Sequence, residues 1–223
     1  MNMIENSVDC VIFGFKDESL KVLLIKRKND PQKGLMALPG DFLDANVSIY
    51  DSARNTLKKI TNLEDIYLEQ IRAFGETDRY PGKRVITISY FALINIEKYS
   101  PQAGYTAEKL EWCDIDKLPE LAFDHHKIIQ SAHRRLKQRV RHEPVGFNLL
   151  PNEFSLTNLQ HVYETILQVE LNKRNFRTKI NQMKLLIDTG KKQENVAHKP
   201  AILYRFDEDV YQKLKEDGFY FKL

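Results

Sequence analysis

A chain of 223 residues, 42 % hydrophobic and 10 % aromatic, fills one large core or two small ones, and its net charge of +3 is ordinary in total although unevenly distributed. The two cysteines, Cys10 and Cys113, share no CxxC or metal-ligand spacing, which sets aside a zinc site or a disulfide framework and leaves two buried reduced thiols. No apolar run approaches the roughly 18 residues of a spanning helix, and MNMIENSVD lacks the charged-then-apolar pattern of a signal peptide, so the expected location is the cytoplasm with no membrane partner.

In chain order, Val8–Phe15 (VDCVIFGF) and Lys21–Lys26 (KVLLIK) are apolar runs around the turn-like KDES and predict a hairpin in a buried sheet. Arg27, Lys28 and Pro31 open a loop to Leu38-Pro39-Gly40. Ile49, Ala53, Leu57 and Ile60 then recur at helical spacing over Ser48–Ile60. Residues 66–75 lead through the polar, Gly- and Pro-containing loop ETDRYPGKR to a strand, VITISYFALI, and Glu111–Leu121 predicts a short strand and turn. From Leu121 the composition shifts: Ile128, Ile129, Ala132, Leu136 and Val140 form a helical stripe, while Lys127–His142 holds six Lys or Arg and no acid. That pattern fits either a solvated basic face or a helix that connects two domains and faces a polyanion.

Beyond Pro144 the pattern predicts two helices joined by a tight turn. The first starts near Ser155 or Thr157, either able to cap it, and carries Leu156, Leu159, Val162, Tyr163, Ile166 and Leu167 on one face. Asn172 can cap the second, whose Phe176, Ile180 and Met183 turn inward and leave Lys173, Arg174, Arg177, Thr178 and Asn181 outward. Helix-turn-helix proteins set such a helix in the DNA major groove, where Arg reads guanine, Asn reads adenine and Lys holds phosphate. An ordinary helical hairpin with a charged outer face has the same spacing. Strand-like Leu185–Ile187 and Ala201–Phe206 flank a basic loop, DTGKKQENVAHKP, which makes the unit a winged helix, and Glu208–Phe221 predicts a final helix. Ser155, Thr157 and Asn175, with Lys191, Lys192, His198 and Lys199 of the wing, complete the expected DNA-binding set.

The stretch Leu38–Leu63 resembles the Nudix hydrolase motif with its chemistry removed. Laid on without a gap, that motif asks for Gly at Asp41, Glu at Val47, Arg-Glu at Asn55 and Thr56, Glu-Glu at Lys59 and Ile60, and Gly at Asn62. Only scaffold survives: Leu38–Gly40, Phe42, Ala53, Leu57, and Thr61 with Leu63. A hard, oxygen-seeking cation held against a pyrophosphate needs converging carboxylates, which valine, lysine and isoleucine do not supply. No catalytic residue, metal or cofactor is therefore expected. A residual hydrolase would have to rebuild a metal site from residues such as Glu69 or Glu76, and a pure protein-binding adaptor would not need the exposed Arg174, Asn175 and Arg177.

Over nearly the whole chain the sequence resembles the Nudix-related transcriptional regulators of the NrtR type. The resemblance rests on Ala73–Leu93, Leu118–Ile129, Leu149–Leu167, Leu171–Ile180 and Lys199–Phe206. It implies an α+β protein: an N-terminal Nudix-like α/β/α sandwich over 1–143, with a connecting helix over 121–142, and a C-terminal winged helix-turn-helix domain over 144–223. It further implies a homodimeric, repressor-like regulator of double-stranded operator DNA with a small-molecule effector. The NrtR type senses ADP-ribose or a related nucleotide in control of NAD metabolism. The eroded helix favours instead the AraR-like branch, which responds to a sugar such as L-arabinose and controls sugar-utilisation genes. On that expectation Arg27, Asp41, Asp44, Glu76, Asp78, Arg79 and Arg84 supply a polar rim, and Phe42, Tyr80 or Tyr90 a stacking face. Surface ion pairing is the alternative role for each charged member.

Overall fold

The computed structural model describes residues 4–104, 106–194 and 199–222. It divides into two compact units: residues 1–16 with 20–135, and residues 17–19 with 136–223. The fold class is the expected one, a Nudix domain followed by a winged helix.

In the first unit β1 (Glu5–Lys16) and β2 (Ser19–Arg27) are sheet neighbours. Asp17 and Glu18 between them both have positive φ, 50° and 57°, the backbone that a two-residue turn needs to match the twist of its strands. The seven-stranded sheet runs β3 (Met36–Ala37), β2, β1, β6 (Val85–Ile94), β5 (Glu69–Phe74), with β4 (Gly40–Phe42) on β1 and β7 (Ala107–Asp114) on β2. β1 and β6 are parallel, with Asp9 opposite Ser89 and Cys10 opposite Tyr90. Side chains alternate across such strands. Val8, Cys10 and Ile12 with Tyr90, Ala92 and Ile94 therefore share one face, packed in a core with Ala53 and Leu57 of α1 (Ile49–Thr61). Ser7, Asp9, Thr87 and Ser89 fall on the other face, where Asp9 and Thr87 begin the site described below.

Helix α1 is the former motif helix. The Ser48 hydroxyl accepts from the Asp51 amide at 3.1 Å to cap it. It ends at Asn62, which adopts the left-handed conformation (φ 57°) where the motif has glycine; asparagine tolerates that backbone better than other side chains. Gly104 N and Gln102 N donate to the terminal carbonyls of Ile60 and Thr61 at 2.8 and 2.9 Å. Ile60 is fully buried among Ala37, Ala107 and Ala122. α2 covers His125–His142, four residues later than Leu121, because Leu121 bridges Met36 and Phe123 takes a positive φ of 54°.

The second unit is built on α3 (Leu156–Leu167) and α4 (Lys173–Gln182), followed by β8 (Leu186–Lys192), β9 (Ile202–Phe206) and α5 (Glu208–Glu216). Ser155 and Asn158 form a capping box on α3, and Asn172 caps α4. The turn between them is pinned from α3. The Leu171 amide donates to Glu164 Oε1 at 2.9 Å, and Gln160 Nε2 donates to Leu171 O at 2.9 Å. Tyr163 is buried between Phe176 and Phe221, and Phe147 stacks on Phe206 with centroids 4.4 Å apart. β8 and β9 pair Leu186 with Phe206, and a bulge falls between Asp188 and Lys192 where Gly190 has φ 71°.

Gly40 has no room for a side chain. A Cβ there would lie 2.1 Å from Asp9 Oδ1 and 2.8 Å from the Val8 carbonyl. At Gly75 the nearest heavy atom, in the Ile86 side chain, lies at 3.6 Å. Gly40→Ala is expected to lower the stability of this unit by about 1–3 kcal/mol, while Gly75→Ala stays near wild type, as read from urea unfolding midpoints.

Candidate functional site

The site grows from a buried polar network on the Asp9 face of the sheet. Arg79, from the loop between β5 and β6, is 7 % exposed and grips Asp124 with two hydrogen bonds, Nε to Oδ2 at 3.1 Å and Nη2 to Oδ1 at 2.7 Å. The same Nη2 lies 3.5 Å from Asp9 Oδ2. Asp9 also accepts from the Thr87 hydroxyl at 2.7 Å. His125, at the start of α2, accepts the Leu38 amide on Nδ1 at 2.9 Å and turns Nε2 towards Asp9 Oδ1 at 3.4 Å. The bonding therefore assigns a neutral imidazole with its proton on Nε2. Burial, the largest cause, draws this imidazole below its ordinary pKa of 6.5.

Above this network lies a cavity of about 240 Å³ lined in part by Asp9, Arg27, Lys28, Asp41, Phe42, Arg79, Tyr80, Phe123 and His125. One wall is aromatic. Tyr80 stacks on Phe123 (4.9 Å, 12°), Phe42 meets Tyr80 edge-on at 6.0 Å, and cations sit at both ends, Arg27 over Phe123 at 4.8 Å and Lys83 over Phe42 at 4.2 Å. Arg27 is held by the Pro31 carbonyl, 3.0 Å from Nε. Burial, the first cause, draws its guanidinium pKa down, and an anion beside it would relieve that cost. Asp41 is already engaged on both oxygens. Oδ1 accepts the Phe42 amide at 2.9 Å and Oδ2 accepts Lys59 Nζ at 3.1 Å.

Of the ten residues expected to bind effector, the structure brings Arg27, Asp41, Phe42, Arg79 and Tyr80 to this cavity. Glu76 and Asp78 line a separate crevice with Gln32 and Lys127, and Arg79 borders both. Asp44 is exposed and accepts the Asn46 amide. Arg84 buries Nη1 without a partner. Tyr90 lies on the other face of β6, buried with Ala53 and Leu57, where its hydroxyl donates to Gln70. Asp9, Thr87, Phe123, Asp124 and His125 were not among the expected residues. The available signals were a lone acid in an apolar strand, the alternating Thr and Ser of VITISY, and the charged FDHH at a helix start.

A divalent cation does not fit the motif helix. Thr56, Lys59 and Ile60 stand where its glutamates would, and among the described residues no group of three or more His, Cys, Asp or Glu is placed to hold a metal.

In the second unit Lys173, Arg174, Asn175, Thr178 and Asn181 are exposed along α4. Arg177 is half-buried, and its Nη2 donates to Thr157 Oγ1 at 3.2 Å. Ser155 is spent on its capping box and is 1 % exposed, which removes it from a DNA-facing surface. Lys191 is exposed and paired with Glu153 at 2.7 Å, while Lys192 and Lys199 are exposed. His198 lies outside the described residues.

Residues 3–132 match the model of the NUDIX domain, and residues 146–206 match that of the NrtR DNA-binding winged helix domain. The chain belongs to the NrtR-type family of Nudix and winged-helix regulators. It is 38 % identical over 205 residues to the ADPR responsive transcriptional repressor NtrR of Acinetobacter baylyi, covering 90 % of this chain and 81 % of that protein. The crystal structure of Shewanella oneidensis NrtR complexed with a 27mer DNA superposes with TM-score 0.76 at 32 % identity, covering 92 % of this chain and 95 % of that one. The NUDIX domain of the same protein complexed with ADP ribose superposes with TM-score 0.57 at 31 % identity, over 61 % of this chain and 90 % of that one. The expectation of an arabinose-responsive, AraR-like branch is corrected accordingly. The relatives' names carry ADP-ribose and no sugar, and Asp41, one of the residues expected to rim a sugar, is bonded within the protein.

Because burial lowers the His125 pKa, the unfolded chain binds that proton more readily than the folded one. The stability His125 contributes is complete above about pH 6.5 and falls as pH drops through the folded pKa. Protonation of Nδ1 also takes away the acceptor for Leu38. The urea midpoint is expected to hold steady above about pH 7 and to start falling as pH drops below about 6.5. In His125→Gln, whose amide oxygen can still accept from Leu38, that early part of the fall should be absent.

Proposed function

We propose that this protein is a DNA-binding, repressor-like regulator whose Nudix-like domain binds ADP-ribose or a closely related nucleotide without hydrolysing it, and that binding changes its affinity for operator DNA. The observation that carries the reading is the composition of the cavity wall. A stacked Tyr80–Phe123 pair suits the face of a base, and Arg27 and Lys28 suit a diphosphate. Two of the three lining carboxylates are already matched, Asp9 by Arg79 and Asp41 by Lys59, and the third, Asp30, is exposed and acts on Arg27, so the cations of the lining remain the main partners for an anionic ligand. The ADP-ribose named in two relatives agrees with this. The domains are taken as 1–143 and 144–223, and the acting species as a homodimer whose two α4 helices enter successive major grooves about one turn apart. No helix among the described residues is long and apolar enough to cross a membrane.

A ligand shifts operator binding only as far as it prefers one state of the protein, commonly by roughly 5–150-fold. The check is fluorescence anisotropy with a duplex that the full chain selects from a random library, titrated with ADP-ribose or with L-arabinose. ADP-ribose is expected to change the duplex affinity within that range and to raise the melting temperature, the latter by mass action. A response to L-arabinose with none to ADP-ribose would overturn the proposal.

A further inference from the structure

On α4 the two arginines do not occupy equivalent places. Phe176 and Ile180 are buried and fix the inner side of the helix. Arg174, Thr178 and Asn181 recur at i, i+4 and i+7 and make a stripe on the opposite side. Arg177 stands about 60° around the helix from Arg174, at the flank of that stripe. Its guanidinium reaches across to the first turn of α3, where Nη2 donates to Thr157 Oγ1 at 3.2 Å. Its Nε is buried and has no acceptor among the described residues. A buried N–H seldom stays unsatisfied, and no acid in the first turn of α3 competes for the cation.

We infer that Arg177 is a phosphate clamp, set by Thr157 on the backbone side of the recognition helix, and that base reading belongs to Arg174 and the stripe it shares with Thr178 and Asn181. The first helix of such a motif crosses the sugar-phosphate backbone while the second lies in the groove. A guanidinium tied to α3 is therefore presented to the backbone. Its planar fork matches a phosphate, and a small movement on contact gives its unsatisfied donor an acceptor. Arg177 then contributes register and affinity without discriminating between bases. Thr157 acts as a positioning residue through it.

The inference rests on the DNA-binding reading, and the experiment separates failure of one from failure of the other. Full-length wild type, Arg174→Ala, Arg177→Ala, Arg177→Lys and Thr157→Val are compared by anisotropy on a duplex selected from a random library by the wild type and on its scrambled counterpart, over a salt series. Arg177→Ala is expected to weaken both duplexes alike, by roughly tenfold at 0.1 M salt, and to flatten the slope of log K against log salt by about 0.9. Arg177→Lys should recover most of that slope, and Thr157→Val should move both duplexes in the same direction by less. Arg174→Ala should weaken the selected duplex far more than the scrambled one. If Arg177→Ala or Arg177→Lys abolishes the preference for the selected duplex with an unchanged salt slope, Arg177 reads a base and the inference fails. Unchanged binding of both duplexes by Arg177→Ala overturns it as well. Failure of the wild type to select any sequence contradicts the DNA-binding reading itself.

Discussion

The first unit depends on one buried cation. Arg79 carries a full charge at 7 % exposure and answers two buried carboxylates, Asp9 from the sheet and Asp124 from the start of α2. Removing one partner from such a group typically costs about 3–5 kcal/mol, because a charge is left unmatched in a poor solvent. The geometry around it follows from that constraint. Asp9 holds Thr87 of the neighbouring strand, its carboxylate requires glycine at position 40, and His125 joins the same carboxylate to the Leu38 amide. The Leu38–Gly40 turn, the β6 strand and the head of α2 are thereby fixed around one floor, and the cavity stands on it.

A hydrolase of this design would place carboxylates on α1. Here Lys59 neutralises Asp41 and Ile60 packs among alanines, so α1 contributes an ion pair at the cavity edge and apolar packing beneath. What the cavity offers is fixed cations and a stacked aromatic wall, groups whose chemistry suits a charged, planar ligand.

Much of the fold was legible in the sequence because its signals are local. Ser48, Ser155 and Asn172 each cap the helix that follows them, and the Phe176–Ile180 spacing marks the inner face of α4. The site was less legible because its contacts are distant: Arg79 and Asp124 are 45 residues apart and Asp9 and Thr87 are 78 apart. Strand parity decided other cases. Tyr90 looked available for stacking, yet it shares the α1 face with Cys10, while Thr87 and Ser89 point the other way. The sugar expectation rested on the eroded motif helix, which says what the site has lost and not what it binds, and its rim residue Asp41 is already held by Lys59, 18 residues on. Arg177 shows the same effect in the second unit, where Thr157 of another helix decides how its guanidinium is presented.

On the proposed function, the Nudix-like unit binds a nucleotide diphosphate and does not cut it. Phosphorus NMR of ADP-ribose mixed with stoichiometric full-length protein and excess Mg²⁺ tests this directly. The expected result is that the two diphosphate resonances shift or broaden on binding and then persist without loss. Progressive growth of monophosphate resonances, absent from a protein-free control, would contradict it.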